Sequence, residues 1–220
     1  MIHSKQQRTE KLLMTIDKLG AAKIAHLQKI HELKSYRNAC RVIKQLEEYT
    51  FVAYHRKHKV LYLNKVGRDL IGSNSEVKKP SILDHMLYCN EAYIDLNCPI
   101  DWNREVQFEL EQPRTMSDLD IKIMGSSLKV ASSSKKIVAD AAFNRNGYTH
   151  FVEIDNTRKM IDNQKKMEAY RELFNITKDK TLMLLIYTTT NDRKQKFEKM
   201  LRDYKLSGKV KTFQEITAHP

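Results

Sequence analysis

The sequence predicts an α+β protein in two parts, a small basic part over residues 1–73 and a larger α/β part over residues 81–220. The first part carries 15 Lys/Arg against 6 Asp/Glu, whereas the rest of the chain carries 24 against 21. Helical apolar spacing dominates the first part, and the second part contains longer apolar runs typical of strands. Between them, residues 74–80 are polar, end in proline and predict a linker.

The basic part is expected to begin with three helices. Residues 7–18 and 22–30 each repeat apolar side chains at helical intervals, and Gly20 between them is a natural helix stop. Ser35 is expected to cap a third helix over residues 36–49. The apolar stripe of that helix consists of Ala39, Val42, Ile43 and Leu46.

Two short strands at 51–54 and 60–63 follow, joined by a basic tip at 55–59. Three helices and a basic hairpin predict a winged helix-turn-helix, whose third helix would enter the major groove of double-stranded DNA. A winged helix can also bind proteins, but the basic tip favours DNA. The candidate DNA-binding residues are Ser35, Tyr36, Arg37, Asn38, Arg41, Lys44, Arg56, Lys57 and Lys59.

The second part alternates strands and helices. This alternation predicts a mixed sheet flanked by helices. The predicted elements are a helix at 81–97, a strand at 101–110, a weakly patterned loop with a short strand pair over the next 25 residues, strands at 137–143 and 148–154, a helix at 158–174, a strand at 181–190, a helix at 192–204 and a strand at 209–216.

Three carboxylates lie near the ends of two adjacent predicted strands. Asp140 lies in the first strand, and Glu153 and Asp155 lie at the end of the second. Hard divalent ions such as Mg²⁺ or Mn²⁺ bind carboxylate oxygens and can activate water. Asp140 and Glu153 are therefore candidate metal ligands, and Glu91 on the preceding helix is a further candidate acid.

The motifs ADAAF at 139–143, FVEIDNT at 151–157 and KMEAY at 166–170 carry a family resemblance. The chain resembles the restriction-endonuclease-like, or PD-(D/E)xK, superfamily. More narrowly, it resembles the replication-relaxation family of plasmids and other mobile elements of Gram-positive bacteria. The resemblance implies a winged helix followed by a nuclease-like domain. It also implies that an acid at position 155 is usual in the narrower family.

The position of Asp155 bears on activity. Active members of the superfamily normally have a lysine two residues after the glutamate, and its ammonium stabilises developing negative charge. Asp155 cannot do this, so a lysine of the following helix would have to, and Lys159, Lys165 and Lys166 are candidates. The candidate catalytic set is Asp140, Glu153, Asp155 and Lys159. The alternative is that these acids are structural, with Asp155 and Thr157 capping the next helix.

The favoured hypothesis is a DNA-binding protein of a plasmid or other mobile element with an inactive nuclease-like domain. It would act in regulation of transcription, in replication or in mobilisation. The alternative is a DNA nickase or endonuclease that requires Mg²⁺ or Mn²⁺ and is targeted by the winged helix. Paired half-sites predict a homodimer, and a relaxase or replication protein is a further candidate partner.

The remaining composition bears on location. Cys40, Cys89 and Cys98 lack metal-ligand spacing and are odd in number, which favours a reducing compartment. The first residues lack an apolar signal core, and no apolar run approaches the roughly 20 residues that span a bilayer. We expect a cytoplasmic protein that does not bind membranes.

Overall fold

The computed structural model describes residues 5–75, 83–110, 135–156, 158–177 and 181–217. The chain divides into two compact units, Met1–Pro99 with Phe213–Pro220, and Ile100–Thr212. Most of the predicted linker, most of the weakly patterned loop and Thr157 lie outside the described residues. In the described part of the chain, no helix combines the length and apolarity needed to cross a membrane.

The first unit contains five helices and a small antiparallel sheet ahead of residue 99, in the part that the structure describes. The sheet order is β1-β3-β2. In chain order, the elements are α1 (Lys5–Leu19), β1 (Ala22–Lys23), α2 (Ile24–Ile30), α3 (Tyr36–Lys44), β2 (Thr50–His55), β3 (His58–Leu63), α4 (Lys65–Ile71) and α5 (Leu83–Asp95).

Local signals fix the ends of several of these helices. Gly20, at φ 73°, follows the last residue of α1, in the left-handed region that glycine adopts without cost. The predicted cap of α3 is confirmed, because the hydroxyl of Ser35 accepts a hydrogen bond from the amide of Asn38 at 3.2 Å. The helix predicted over 22–30 begins only at Ile24, because Ala22 and Lys23 form β1, which pairs with β3.

Helix α5 belongs to the first unit rather than to the second. Leu87 packs in one apolar cluster with Ala21 and Val60. The buried side chain of Asn90 donates to the carbonyl of Ala21 at 2.6 Å. The boundary between the two units therefore lies near residue 99, whereas the sequence predicted it before residue 81. The sequence could not show this, because α5 binds elements that lie far away in the sequence.

The second unit contains a five-stranded mixed sheet with the order β4-β5-β6-β7-β8. Strand β5 is antiparallel to both β4 and β6, and strands β6, β7 and β8 run parallel to one another. The predicted mixed sheet flanked by helices is confirmed. In chain order, its elements are β4 (Asn103–Leu110), β5 (Lys135–Arg145), β6 (Tyr148–Asp155), α6 (Met160–Thr177), β7 (Leu182–Thr188), α7 (Asn191–Asp203) and β8 (Gly208–Thr212).

The last predicted strand, 209–216, is shorter than expected. It ends at Thr212, and helix α8 (Phe213–Thr217) follows and counts with the first unit. In the second unit, α6 and α7 pack on the sheet through buried side chains that include Tyr170 and Phe197. Because β6 and β7 are parallel, their carboxyl ends meet, and Asp155 pairs in register with Thr188.

Candidate functional sites: an acidic cluster on β5 and β6, and a basic helix and hairpin

Glu153 lies at the centre of the acidic site and is 5% exposed. Residues 153 and 155 of β6 point to the same side of the sheet because strand side chains alternate. From α6, the ammonium of Lys166 donates to Oε2 of Glu153 at 2.5 Å. One turn later, the hydroxyl of Tyr170 donates to Oε1 at 2.5 Å. Both oxygens of Glu153 therefore have a protein donor.

Burial sets the protonation of this glutamate. Burial raises the pKa of Glu153 to about 7, although the Lys166 ammonium lowers it, and the nearby charge of Asp140 raises it further. Burial and the Glu153 charge also raise the pKa of the Tyr170 hydroxyl. The carboxyl therefore changes charge near neutral pH, and the tyrosine remains a hydrogen-bond donor there.

Asp140 on β5 lies close enough to Glu153 to shift its pKa, as the motif predicted. Its Oδ2 accepts a hydrogen bond from the backbone amide of Ile154 on β6 at 2.6 Å. This bond ties the side chain to the neighbouring strand. The structure thus brings Asp140 and Glu153 together.

Asp155 forms a buried ion pair. Its side chain is 3% exposed, and the guanidinium of Arg193 on α7 binds it through both oxygens, with Nε to Oδ2 at 2.5 Å and a terminal nitrogen to Oδ1 at 2.6 Å. Thr188 donates to Oδ2 at 2.7 Å, and the amide of Asn163 donates to Oδ1 at 2.8 Å. The carboxylate thus receives four hydrogen bonds from the protein.

Cations are bound to two of the three carboxylates that were candidates for the site. Among the described residues, no group of three or more His, Cys, Asp or Glu side chains could hold a metal ion. Lys166 places a positive charge against Glu153, and Arg193 does the same at Asp155. Glu153 and Asp155 therefore each have a cationic partner, whereas Asp140 accepts its hydrogen bond from a backbone amide.

Two sequence-based candidates take other roles. Lys159 is exposed, and the lysine whose ammonium binds Glu153 is Lys166. Glu91 pairs with Lys23 and His26 at 2.9 and 3.0 Å, all within the first unit. Burial raises the pKa of Glu91, but hydrogen bonding and the charges of His26 and Lys23 prevail and lower it to about 2. Glu91 therefore locks α5 to the first unit.

Helix α3 presents a basic face. Arg37, Arg41 and Lys44 are exposed, whereas Ala39, Val42 and Ile43 on the opposite side are buried. Tyr36, at the first turn, is 57% exposed. Asn38 is partly committed, because it donates to the carbonyl of Leu33 at 2.9 Å and accepts from Arg41 at 2.9 Å.

The hairpin between β2 and β3 presents a second basic group. His55 pairs with His58, so Arg56 and Lys57 form a two-residue turn. Both lie in the left-handed region, at φ 47° and 68°, where asparagine and glycine are usual. At its base, Asp84 of α5 accepts from Nε2 of His55 at 2.6 Å and from the guanidinium of Arg56 at 3.0 Å.

The replication-relaxation family model matches residues 11–183, which is most of the chain. The match includes the basic elements and the three carboxylates of the acidic site, and it ends before Arg193. The chain belongs to the replication-relaxation family. No match is found among curated proteins. Among solved structures, the crystal structure of protein VC1899 from Vibrio cholerae is 13% identical, with a TM-score of 0.40. That match covers 98% of this chain and 50% of the other, so this replication-relaxation chain spans about half of that protein's length.

Sequence reasoning missed the residue that forms the ion pair with Asp155 in this replication-relaxation protein. Arg193 lies 38 positions further along the chain. A usable signal was present, because the chain leaves β7 through Thr188 and begins α7 at Asn191. A basic residue in the first turn after a strand parallel to β6 lies near the carboxyl ends of the parallel strands, where Asp155 also lies.

Proposed function

We propose that this chain is a DNA-binding protein of a plasmid or other mobile element. It acts in replication or mobilisation, or in the regulation of transcription. The first unit is a winged helix that binds double-stranded DNA. The second is a restriction-endonuclease-like domain that does not cleave it. The family supports the replication role. The exposed cations of the first unit and the paired carboxylates of the second support the two different roles of the units.

The observation that carries the DNA-binding proposal is the basic face of α3. Three exposed cations, Arg37, Arg41 and Lys44, lie along one side of a helix whose other side is buried. A recognition helix requires this arrangement, because its inner side holds the fold while its outer side contacts bases and phosphates. The element order α1-β1-α2-α3-β2-β3 supports the same assignment.

The hairpin turn adds a second argument. A non-glycine residue in the left-handed region costs on the order of 1 kcal/mol or more. Arg56 and Lys57 both adopt it, at a turn where Asn-Gly would be favoured. Unfavourable backbone conformations persist where a side chain has a use, and two cations at an exposed tip suit contacts with DNA phosphates.

The acidic site supports the absence of cleavage. Arg193 neutralises Asp155 through two hydrogen bonds, and Lys166 and Tyr170 bind both oxygens of Glu153. Carboxylates bound in this way hold the sheet to α6 and α7. Their role in the proposal is structural.

The experiment that tests the DNA-binding proposal uses duplexes selected by the protein from a random pool. Arg37→Ala or Arg41→Ala should each reduce discrimination between selected and scrambled duplexes by about 1–3 kcal/mol, measured by fluorescence anisotropy. Lys65→Ala, which removes an exposed cation of α4, is the matched control. Equal discrimination in all four proteins would remove α3 as the reading element.

A second candidate function is a DNA nickase or endonuclease. The observation that favours it is the Lys166 ammonium, which binds Glu153, the carboxylate that Asp140 also approaches. A lysine carried by a helix could assist phosphoryl transfer from this position. This candidate requires strand cleavage in Mg²⁺ or Mn²⁺ that Lys166→Met abolishes. Lys165→Met, its exposed neighbour on α6, is the control and should leave such cleavage intact.

A further inference from the structure

Strand β2 is an edge strand with exposed apolar side chains. Among the described residues, it pairs with β3 alone, and the sheet order places it at the end. Phe51, Val52 and Tyr54 are 53%, 40% and 77% exposed, respectively. The ring of Phe51 also contacts the ring of Tyr62 on β3, with centroids 5.5 Å apart, so the apolar surface continues onto the next strand.

The corresponding edge of the other sheet is protected. Strand β8 lies at an end of the five-stranded sheet and exposes Lys209 and Lys211 on either side of the buried Val210. Charged side chains, lysine above all, are how proteins prevent edge strands from pairing with other chains. Residues 50–54, TFVAY, contain no charge. The edge of β2 lacks the protection that the edge of β8 has.

We propose that β2 pairs with β2 of a second copy of this chain, antiparallel and centred on Ala53, to form a homodimer. Symmetry requires that one residue of the strand lie on the two-fold axis. In an antiparallel pair related by a two-fold axis perpendicular to the sheet, opposite residues point to the same face, so the central residue faces itself. Centring on Ala53 puts Val52 of each copy opposite Tyr54 of the other.

The chosen register suits the side chains. Ala53, the smallest residue of the strand, lies at the axis and lets the backbones approach. Each Val52–Tyr54 pair joins a β-branched and an aromatic side chain, a favourable cross-strand combination. The exposed parts of Val52 and Tyr54, which share a face, amount to roughly 400 Å² over two copies, using about 150–250 Å² for an aromatic side chain. This is less than the roughly 1,000 Å² of a permanent interface, so the dimer is weak and depends on protein concentration. Backbone hydrogen bonds add to that apolar contact.

Charge at the end of the strand does not oppose this pairing strongly. His55 and Arg56 both bind Asp84, which offsets the cations nearest to the edge. Centring on Ala53 also directs the two basic tips away from each other, because the strands are antiparallel. The inference is independent of DNA binding, since it needs only the β2 edge.

The test is sedimentation velocity of the full chain without DNA, over a range of concentrations. The wild-type protein should show a concentration-dependent dimer, and Val52→Lys/Tyr54→Lys should be monomeric throughout. Val66→Lys/Leu70→Lys is the matched control, since it places two lysines at exposed apolar positions of α4. This control should remain dimeric. A wild-type monomer, or a dimer that persists in the β2 variant, would overturn the proposal.

A cross-link tests the register itself. Under mild oxidation, Ala53→Cys should form a disulfide-linked dimer much faster than Val66→Cys, which retains the same three native cysteines. Equal rates overturn the centring on Ala53. The competing occupant of the edge is DNA. If Tyr54→Ser weakens DNA binding while the wild-type protein sediments as a monomer, the surface contacts DNA and the dimer is refuted.

Discussion

Removing the guanidinium of Arg193 tests the structural role of the acidic site. Arg193→Met preserves most of the side-chain volume but leaves Asp155 buried, with hydrogen bonds from Thr188 and Asn163 alone. Breaking a buried ion pair from one side costs about 3–5 kcal/mol, because the remaining charge is uncompensated. The Arg193 side chain is 22% exposed, so water reaches the pair in part and the lower end, about 3 kcal/mol, is expected.

Urea denaturation followed by tryptophan fluorescence measures this loss of unfolding free energy in the second unit. Trp102 is the only tryptophan of the chain, is 5% exposed and stacks on Phe143 within the second unit, so its fluorescence reports on that unit. Arg202→Met, an exposed arginine of the same helix, should change the unfolding free energy by less than about 0.5 kcal/mol.

A second substitution allows the coupling energy between Asp155 and Arg193 to be measured. Asp155→Asn removes the buried charge, so Asp155→Asn/Arg193→Met should be more stable than Arg193→Met alone, with a coupling energy above about 1 kcal/mol. A loss below 1 kcal/mol in Arg193→Met, or strict additivity of the two changes, would refute the ion pair as a structural element. Stabilisation of Arg193→Met by Mg²⁺ would point instead to a metal ligand.

Three further predictions concern the hairpin, the glutamate and the wing contact. Arg56→Asn/Lys57→Gly should stabilise the fold to urea by about 1 kcal/mol, since relief of two left-handed residues outweighs loss of the exposed Arg56–Asp84 ion pair. It should also weaken DNA binding and reduce the salt slope of the affinity by about 1, the contribution of Lys57, because Asp84 already neutralises Arg56. Burial raises the folded pKa of Glu153 from 4.5 to about 7. The folded state thus holds this proton more tightly, so between pH 4.5 and 7 the wild-type protein should lose on the order of 3 kcal/mol of stability relative to Glu153→Gln. The same pH dependence in both proteins would show that Glu153 does not contribute it. Asp84→Asn should raise DNA affinity in anisotropy titrations, because His55 and Arg56 are released for phosphate; unchanged affinity would show that they do not contact DNA.

Elements with a strong local signal could be predicted from the sequence. The cap at Ser35, the start of the helix after it and the apolar run of β7 follow from spacing and residue type within a short window. The end of that helix does not, because it stops at Lys44 whereas the apolar stripe predicted it to continue to residue 49. The approach of Asp140 to Glu153 followed from the order of two adjacent strands. The sequence singled out the acid at position 155, although its partner Arg193 could not be named.

Features that depend on distant residues could not be predicted. Strand β1 has two residues, too few for a periodic signal, and exists because β3 pairs with it. Helix α5 joins the first unit through Asn90 and Glu91, whose partners lie 65 to 69 positions earlier in the chain. Lys166 could be proposed as a partner of Glu153 only among several lysines, because side-chain reach does not discriminate between them.

The most direct test of the central claim is a gel assay on supercoiled plasmid carrying a selected site, incubated with the protein in Mg²⁺ or Mn²⁺. Half of each sample is loaded directly and half after protease treatment. We predict retarded plasmid before protease and fully supercoiled plasmid after it, which indicates binding without cleavage. Nicked or linear DNA that disappears in Asp140→Ala and Glu153→Ala would contradict the claim, as would the absence of any retardation.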